Sequence, residues 1–314
     1  MRKKKDYLPD SIQKFPDGAN YRIEVSGIET PGILEAVIDE AKIQGIPIHR
    51  AIATVNGSKY WTDEQLKELA QIAAENKIEV IICPGILARG LIENPNNLFT
   101  MMNWQNTKEI GAYLKEVLRC GKMGFRGFLV WRKGILDDYL SPLREAGVIP
   151  PETIFKLSTF DNNANVCDFL LAAKTGADTI NAANNLSLEN LSEIRKAIPT
   201  VLDLHITFWQ MAFEKNEKGK LELTAKPYDR IKDAPELARI CSPCYFKFEA
   251  GTPGIGVYDL SGPNWTEKDL QEHKRKDVRT AAKVVRAIRK KYPQLLLSDW
   301  GPADLRIPKV GGEK

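Results

Sequence analysis

Ile154-Phe-Lys-Leu-Ser-Thr159, the helical pattern 163–175, Asp178-Thr-Ile-Asn181, a second helical pattern 187–197, and Val201-Leu-Asp-Leu-His-Ile-Thr207 follow one another without interruption. Short β-rich runs separated by amphipathic helical runs cannot pair as hairpins, because the intervening helix carries the chain back to the same end and makes the strands parallel. The same alternation extends outward in both directions. Upstream, strands are expected at 21–26, 47–54, 79–83 and 127–132, and downstream at 245–249, which makes eight. Helical patterns stand at 32–44, 62–76, 107–122, 135–146, 235–240 and 267–291. Eight repeats of strand and helix define an α/β protein of the (β/α)₈ TIM-barrel class in a single domain, with an N-terminal extension 1–20, the barrel 21–295 and a C-terminal tail 296–314. An open doubly wound sheet is the other arrangement such alternation allows, but no Gly-x-Gly-x-x-Gly follows the first strand as a dinucleotide fold would require.

Cap chemistry supports these boundaries. Thr62 with Gln65 spells a capping box, Ser187 precedes Leu188 and Glu189, and Gly45 and Gly176 stand where helices must stop in a left-handed turn. Two connections, 86–106 and 208–230, are longer than a turn needs and leave the carboxyl ends of strands, where barrel enzymes place substrate-binding loops. Within the second, 214–224 alternates charged and apolar residues around Gly219 and reads as a small hairpin.

The 314 residues are 43% hydrophobic and 27% charged, with a net charge of +4. The excess sits in 2–5, 274–276 and 286–291, which reads as solvated tail and helix face, so nucleic acid is not an expected partner. No apolar run of membrane-spanning length occurs and the basic start leads into polar sequence, so a cytoplasmic protein without a membrane partner is expected. Five cysteines, an odd number, fit reduced thiols. A homo-oligomer is compatible with all of this.

Strand side chains alternate faces. With Phe155 and Leu157 toward the helices, Lys156 and Ser158 point into the barrel; the same phase turns in Asp203, His205 and Thr207, Lys247 and Glu249, Arg22, Glu24 and Ser26, and Thr179 and Asn181. On the second strand either His49 or Arg50 faces in, and on the fourth either Arg132 or its neighbours. Unpaired buried charge costs several kcal/mol per ion, so this lumen must pair internally or serve a ligand. One reading is a salt-bridge network, Lys156 and Lys247 neutralised by Glu24, Asp203 and Glu249. The other is a site. Asp203, His205, Glu249 and Glu24 would suit a divalent metal, Lys156 or Lys247 a Schiff base, and His205 or Glu249 acid/base work. Cys241-Ser-Pro-Cys244 has Cys-x-x-Cys spacing without a second pair and reads as buried thiols, with a redox or cluster role as the alternative; the glycine-rich run 251–256 is a flexible turn or an anion-binding loop.

Several stretches resemble the collagenase-like peptidase family U32: Val55-Asn56 followed by Trp61-Thr-Asp-Glu-Gln-Leu, Lys156-Leu-Ser-Thr-Phe with Asn162 to Asn165, Gly176-Ala-Asp-Thr-Ile-Asn-Ala-Ala-Asn-Asn-Leu-Ser-Leu-Glu-Asn-Leu, and Ala234-Pro-Glu-Leu followed by Tyr245-Phe-Lys-Phe-Glu-Ala-Gly. Lys247 and Glu249 match that family's lysine–hydrophobic–glutamate strand, and Ser158 and Asn165 match more weakly. The family's cysteine signature, associated with an iron–sulfur cluster, would fall at Thr207-Phe-Trp-Gln-Met-Ala-Phe, which has no cysteine, so no such cluster is expected. The resulting expectation is a peptidase-like hydrolase acting on a peptide or amide-bearing small molecule. His205 and Glu249 would be acid/base groups and Lys247 a stabiliser of negative charge; Glu24, Arg50, Lys156, Ser158, Asn181 and Asp203 would bind substrate. A metal- or lysine-dependent lyase or isomerase on a small oxoacid or sugar, and a non-catalytic barrel subunit, remain the alternatives.

Overall fold

The computed structural model describes residues 7–55, 57–85, 107–215, 217, 219–249 and 266–311, with the backbone path alone for 209–215 and 221–228. Eight parallel strands close into a barrel: β1 (Tyr21–Ile28), β2 (Arg50–Ala53), β3 (Glu79–Ile82), β4 (Gly127–Val130), β5 (Ile154–Leu157), β6 (Thr179–Asn181), β7 (Val201–Lys215) and β9 (Cys244–Phe248) pair in sequence order, and β9 returns to β1. Closure is seen in two registers, Asp203 opposite Tyr245 between β7 and β9, and Glu24 opposite Lys247 between β9 and β1. The glycine-rich run 251–256 and the long connection 86–106 lie outside the described residues.

Helices α1 (Pro31–Gln44), α2 (Asp63–Glu75), α3 (Thr107–Lys122), α6 (Val166–Lys174), α7 (Leu188–Ala197), α8 (Ala234–Cys241) and α9 (Glu267–Lys291) alternate with the strands around the outside. Their starts are set by side chains satisfying the free N–H groups of the first turn: Thr62 and Gln65 form the expected capping box, and Ser187 forms another with Asn190. After β4 the chain runs as α4 (Lys133–Ile135), a π-turn segment over Leu136–Leu140, and α5 (Ser141–Glu145). A single helix over 135–146 was the expectation; Pro142 has no N–H for the carbonyl four residues before it, and the wider turn just upstream accommodates that loss.

β7 departs from expectation in length. Its barrel portion ends near Thr207, and the strand then continues antiparallel to β8 (Leu221–Asp229), from Thr207 opposite Asp229 to Lys215 opposite Leu221. The hairpin is therefore about twice the size read from 214–224, because 207–213 also pair with β8, a run of mostly apolar residues in which no strand alternation marks the continuation.

Both chain ends pack across the amino-terminal mouth. Asn20 N donates to Leu296 O, Arg22 makes a two-pronged contact with Asp304 (2.6 and 2.9 Å) while Phe15 stacks on its guanidinium, and Lys309 N donates to Gly124 O. The opposite, carboxyl-terminal end of the strands is thus the face left for a site.

Candidate functional site

β2 settles the ambiguity between neighbours. Arg50 faces the lumen, while His49 accepts a hydrogen bond from Ile23 N at Nδ1 and points Nε2 at the carbonyls of Ser298 and Asp299. On β4, Leu129 and Trp131 face inward with Ile52, Ile81 and Cys83, forming an apolar cluster inside the barrel. Arg132 lies at the rim, donating to Phe160 O. Above Arg50 and Glu79 the lumen is therefore divided, with apolar side chains on β2 to β4 and polar ones on β5 to β7, β9 and β1.

The polar half has two tiers. In the lower tier Lys156 Nζ lies 3.0 Å from both carboxylate oxygens of Glu24 and 2.8 Å from Asp203, and Arg50 reaches Asp203 at 3.1 Å, Glu24 at 3.4 Å and Glu79 at 2.5 Å while its guanidinium stacks 3.6 Å above the Tyr245 ring. All five charged groups are buried. Burial pushes the Glu24 carboxyl up despite Lys156; Asp203 is held down, because Lys156 and Arg50 outweigh its burial. Burial also lowers Lys156, against the pull of Asp203 and Glu24. Of the expected substrate-binding residues, Glu24, Arg50, Lys156 and Asp203 are thus partners of one another beneath the cavity.

The upper tier lines a cavity at the carboxyl ends of the strands. Ser26, Ser158, Asn181, His205, Lys247 and Glu249 form its polar side, and Ile52, Val55, Cys83, Leu129 and Trp131 the apolar side, with Phe160 and Phe208 also contributing. Lys247 Nζ pairs closely with Glu249 Oε2, and His205 Nε2 lies 3.2 Å from the same oxygen. Burial opposes the ammonium charge of Lys247, but Glu249 and Glu24 raise its pKa; burial also opposes ionisation of Glu249, yet Lys247 and His205 bring it down to about 2. Burial and the neighbouring Lys247 lower His205 to about 4. His205 is consequently neutral near pH 7. With Glu249 ionised, the proton of the imidazole belongs on Nε2 as donor to that carboxylate, and Nδ1 is left a bare acceptor. Among the described residues Nδ1 is buried without a hydrogen-bond partner, as are Ser26 Oγ and Asn181 Oδ1.

These placements bear on the alternatives. Asp203 and Glu24 are occupied by Lys156 and Arg50, and Glu249 by Lys247, so the four expected metal ligands do not converge; among the described residues no three His, Cys, Asp or Glu side chains gather as ligands would. Of the two candidate lysines, Lys156 does not line the cavity and Lys247 does. Cys241 and Cys244 are buried free thiols, burial raising Cys241 to about 12 and Cys244 well up. Asn165 caps α6 through Asp168 N. Glu79 and Tyr245, and the apolar wall, were not among the expected site residues. Once Arg50 is placed inward, alternation puts Ile52 on the same side, so the phase of a single residue would have revealed that wall.

A barrel with a half-polar lumen and a His–Glu pair lining its cavity is the class of protein this fold defines. No family model matches the chain, and no curated protein matches it. Among solved structures it is similar to the YdjI aldolase from Escherichia coli K12 (12% identity over 88% of this chain and 94% of that one, TM-score 0.46). It is similar also to the U32 peptidase Mk0906 (12%, 77% and 98%, TM-score 0.47) and to D-psicose 3-epimerase from Clostridium cellulolyticum H10 (14%, 86% and 98%, TM-score 0.45). Likeness at this level carries no chemistry across to this chain. Among the described residues no helix is long and apolar enough to cross a membrane.

Proposed function

We propose that the protein is a barrel enzyme of the lyase or isomerase type that moves a proton at a carbon beside a carbonyl group, on a small oxoacid or sugar. One observation carries this reading: a neutral His205, held by ionised Glu249 at Nε2, presents an Nδ1 with no partner among the described residues in a cavity that also contains the Lys247 ammonium. In the step, the C–H bond breaks and its proton passes to His205 Nδ1. The electron pair forms a carbon–carbon double bond, and the carbonyl π pair moves onto oxygen. Lys247 stabilises that developing negative charge and Glu249 stabilises the imidazolium. Returning the proton to the former carbonyl carbon, while the proton of the adjacent hydroxyl passes to the other oxygen, completes an isomerisation; re-forming the carbonyl as a β-substituent leaves with its bonding pair, giving a new carbon–carbon double bond, instead completes a lyase reaction.

Incubating the protein with 2-oxoacids, ketoses and aldoses in deuterated water and following loss of the α-proton signal tests the reading. His205→Asn is expected to slow exchange by about 10²–10⁴-fold, the usual contribution of a positioned base, with the unfolding midpoint little changed. Exchange at the wild-type rate in that variant would overturn the assignment.

The hydrolytic reading uses the same groups. It is favoured by the Lys247–Phe248–Glu249 strand, which resembles the U32 pattern: His205 Nδ1 would activate a water toward an amide carbonyl, and Lys247 would hold the oxyanion. Amine release from a mixed peptide and amide panel, with no α-proton exchange in any carbonyl compound, would select it.

A further inference from the structure

The cavity carries information about its ligand beyond the identity of the base. Its described polar side holds one cation, Lys247, and that charge is matched by Glu249 in direct contact. Among the described residues no arginine lines it; Arg50 lies below, committed to Glu79, Asp203 and Glu24. Among the described lining a carboxylate or phosphate would therefore meet no surplus positive charge to offset its desolvation. The groups left unsatisfied are of another kind. Asn181 Oδ1 and Ser26 Oγ are buried and have no partner among the described residues, and Ser158 Oγ accepts from Phe160 N, which leaves its hydroxyl hydrogen to donate. An acceptor, a hydroxyl that does both, and a hydroxyl that donates match alcohol groups. Facing them is a wall of Ile52, Val55, Leu129 and Trp131, suited to a C–H face.

We infer that the ligand is an uncharged polyhydroxy carbonyl compound, a free sugar of the ketose or aldose type, with its hydroxyls on Asn181, Ser26 and Ser158 and its C–H face against Trp131 and Leu129. This rests on His205 Nδ1 being kept for the carbon that loses its proton. Asn181 and Ser26 are then specificity residues, since an analogue lacking the hydroxyl they serve leaves a buried polar atom unpaired.

The test is direct binding to the full-length protein, by calorimetry or saturation-transfer NMR, with three sets of probes: free four- to six-carbon ketoses and aldoses, their phosphate esters, and 2-oxoacids. Free sugars are expected to bind at least 10-fold tighter than the matching phosphate esters and than the oxoacids. Asn181→Leu should weaken sugar binding 10-fold or more with an unchanged unfolding midpoint; Ser26→Ala, which removes only a hydroxyl, gives the same direction should the leucine variant fail to fold. Preferential binding of an oxoacid or phosphate ester, or wild-type sugar affinity in a folded Asn181→Leu or Ser26→Ala protein, would overturn the inference. Sugars that bind as stated but never exchange a proton would leave the ligand class standing and overturn the proton-transfer reading instead.

Discussion

Lys156 shows how one residue type can be legible in position and illegible in role. Alternation along Phe155-Lys-Leu-Ser-Thr159 turns it inward, and the structure agrees. Whether an inward lysine faces a ligand or a carboxylate depends on what the opposite strands present at its height, and those strands are distant in sequence. Here Glu24 and Asp203 bracket it. Removing the cation strands two buried carboxylates, so Lys156→Met is expected to destabilise by about 3–5 kcal/mol, and adding Glu24→Gln should restore part of it; urea unfolding of the single and double variants measures both. Lys247 sits one tier higher, where a pair with Glu249 still leaves it on the cavity. His205 is the clearest gain from structure. Sequence placed it inward, but its tautomer and free Nδ1 follow from Glu249 on the neighbouring strand.

At the scale of elements, local chemistry set most boundaries. The capping box at Thr62, the cap at Ser187 and the left-handed turn at Gly45 lie where the pattern put them, and Asn190 completes a second box at Ser187. The disagreements arise where non-local contacts extend or interrupt a pattern, in the long β7–β8 hairpin and in the π-turn before Pro142. The C-terminal tail is a third case: nothing in its mixed, proline-containing sequence announces that it seals the barrel floor. Gly124 has φ +100, and a Cβ there would lie 2.0 Å from Lys309 O. Gly124→Ala is therefore expected to lift the tail and to lower stability by roughly 1–3 kcal/mol. Trypsin under native conditions should then cut after Arg306 or Lys309 faster than in wild type; unchanged cleavage and stability would show that the tail is not held there.

For the whole molecule, burial of two neutral histidines makes stability depend on pH. His49 is lowered to about 4 by burial and by Arg22, and its Nδ1 already accepts from Ile23 N, so protonation breaks that bond; His205 is lowered to the same range. The unfolded chain binds these protons near pH 6.5 and the folded one only near 4, so stability is complete above about 6.5 and is lost as pH falls through 4, by about 3 kcal/mol for each group. Denaturant unfolding at pH 7, 5.5 and 4 should show this decline, and His205→Asn should make it shallower. A decline of the same size in that variant would mean that His205 is not a buried neutral base.

The sequence by itself determined the barrel, because strand and helix periods are local and eight repeats leave few ways to close a sheet. It also determined which strands carry polar residues inward, because alternation is a property of the backbone. Only the tertiary structure decided how that polar set divides. Glu24, Arg50, Lys156 and Asp203 neutralise one another in a buried tier, while Ser26, Ser158, Asn181, His205, Lys247 and Glu249 reach the cavity. The division rests on the height each side chain reaches across the barrel, and height follows from the stagger between paired strands, Glu24 beside Arg50 and Lys247, and His205 beside Lys247. Stagger is a relation between strands far apart in the chain, so it appears only when they pair.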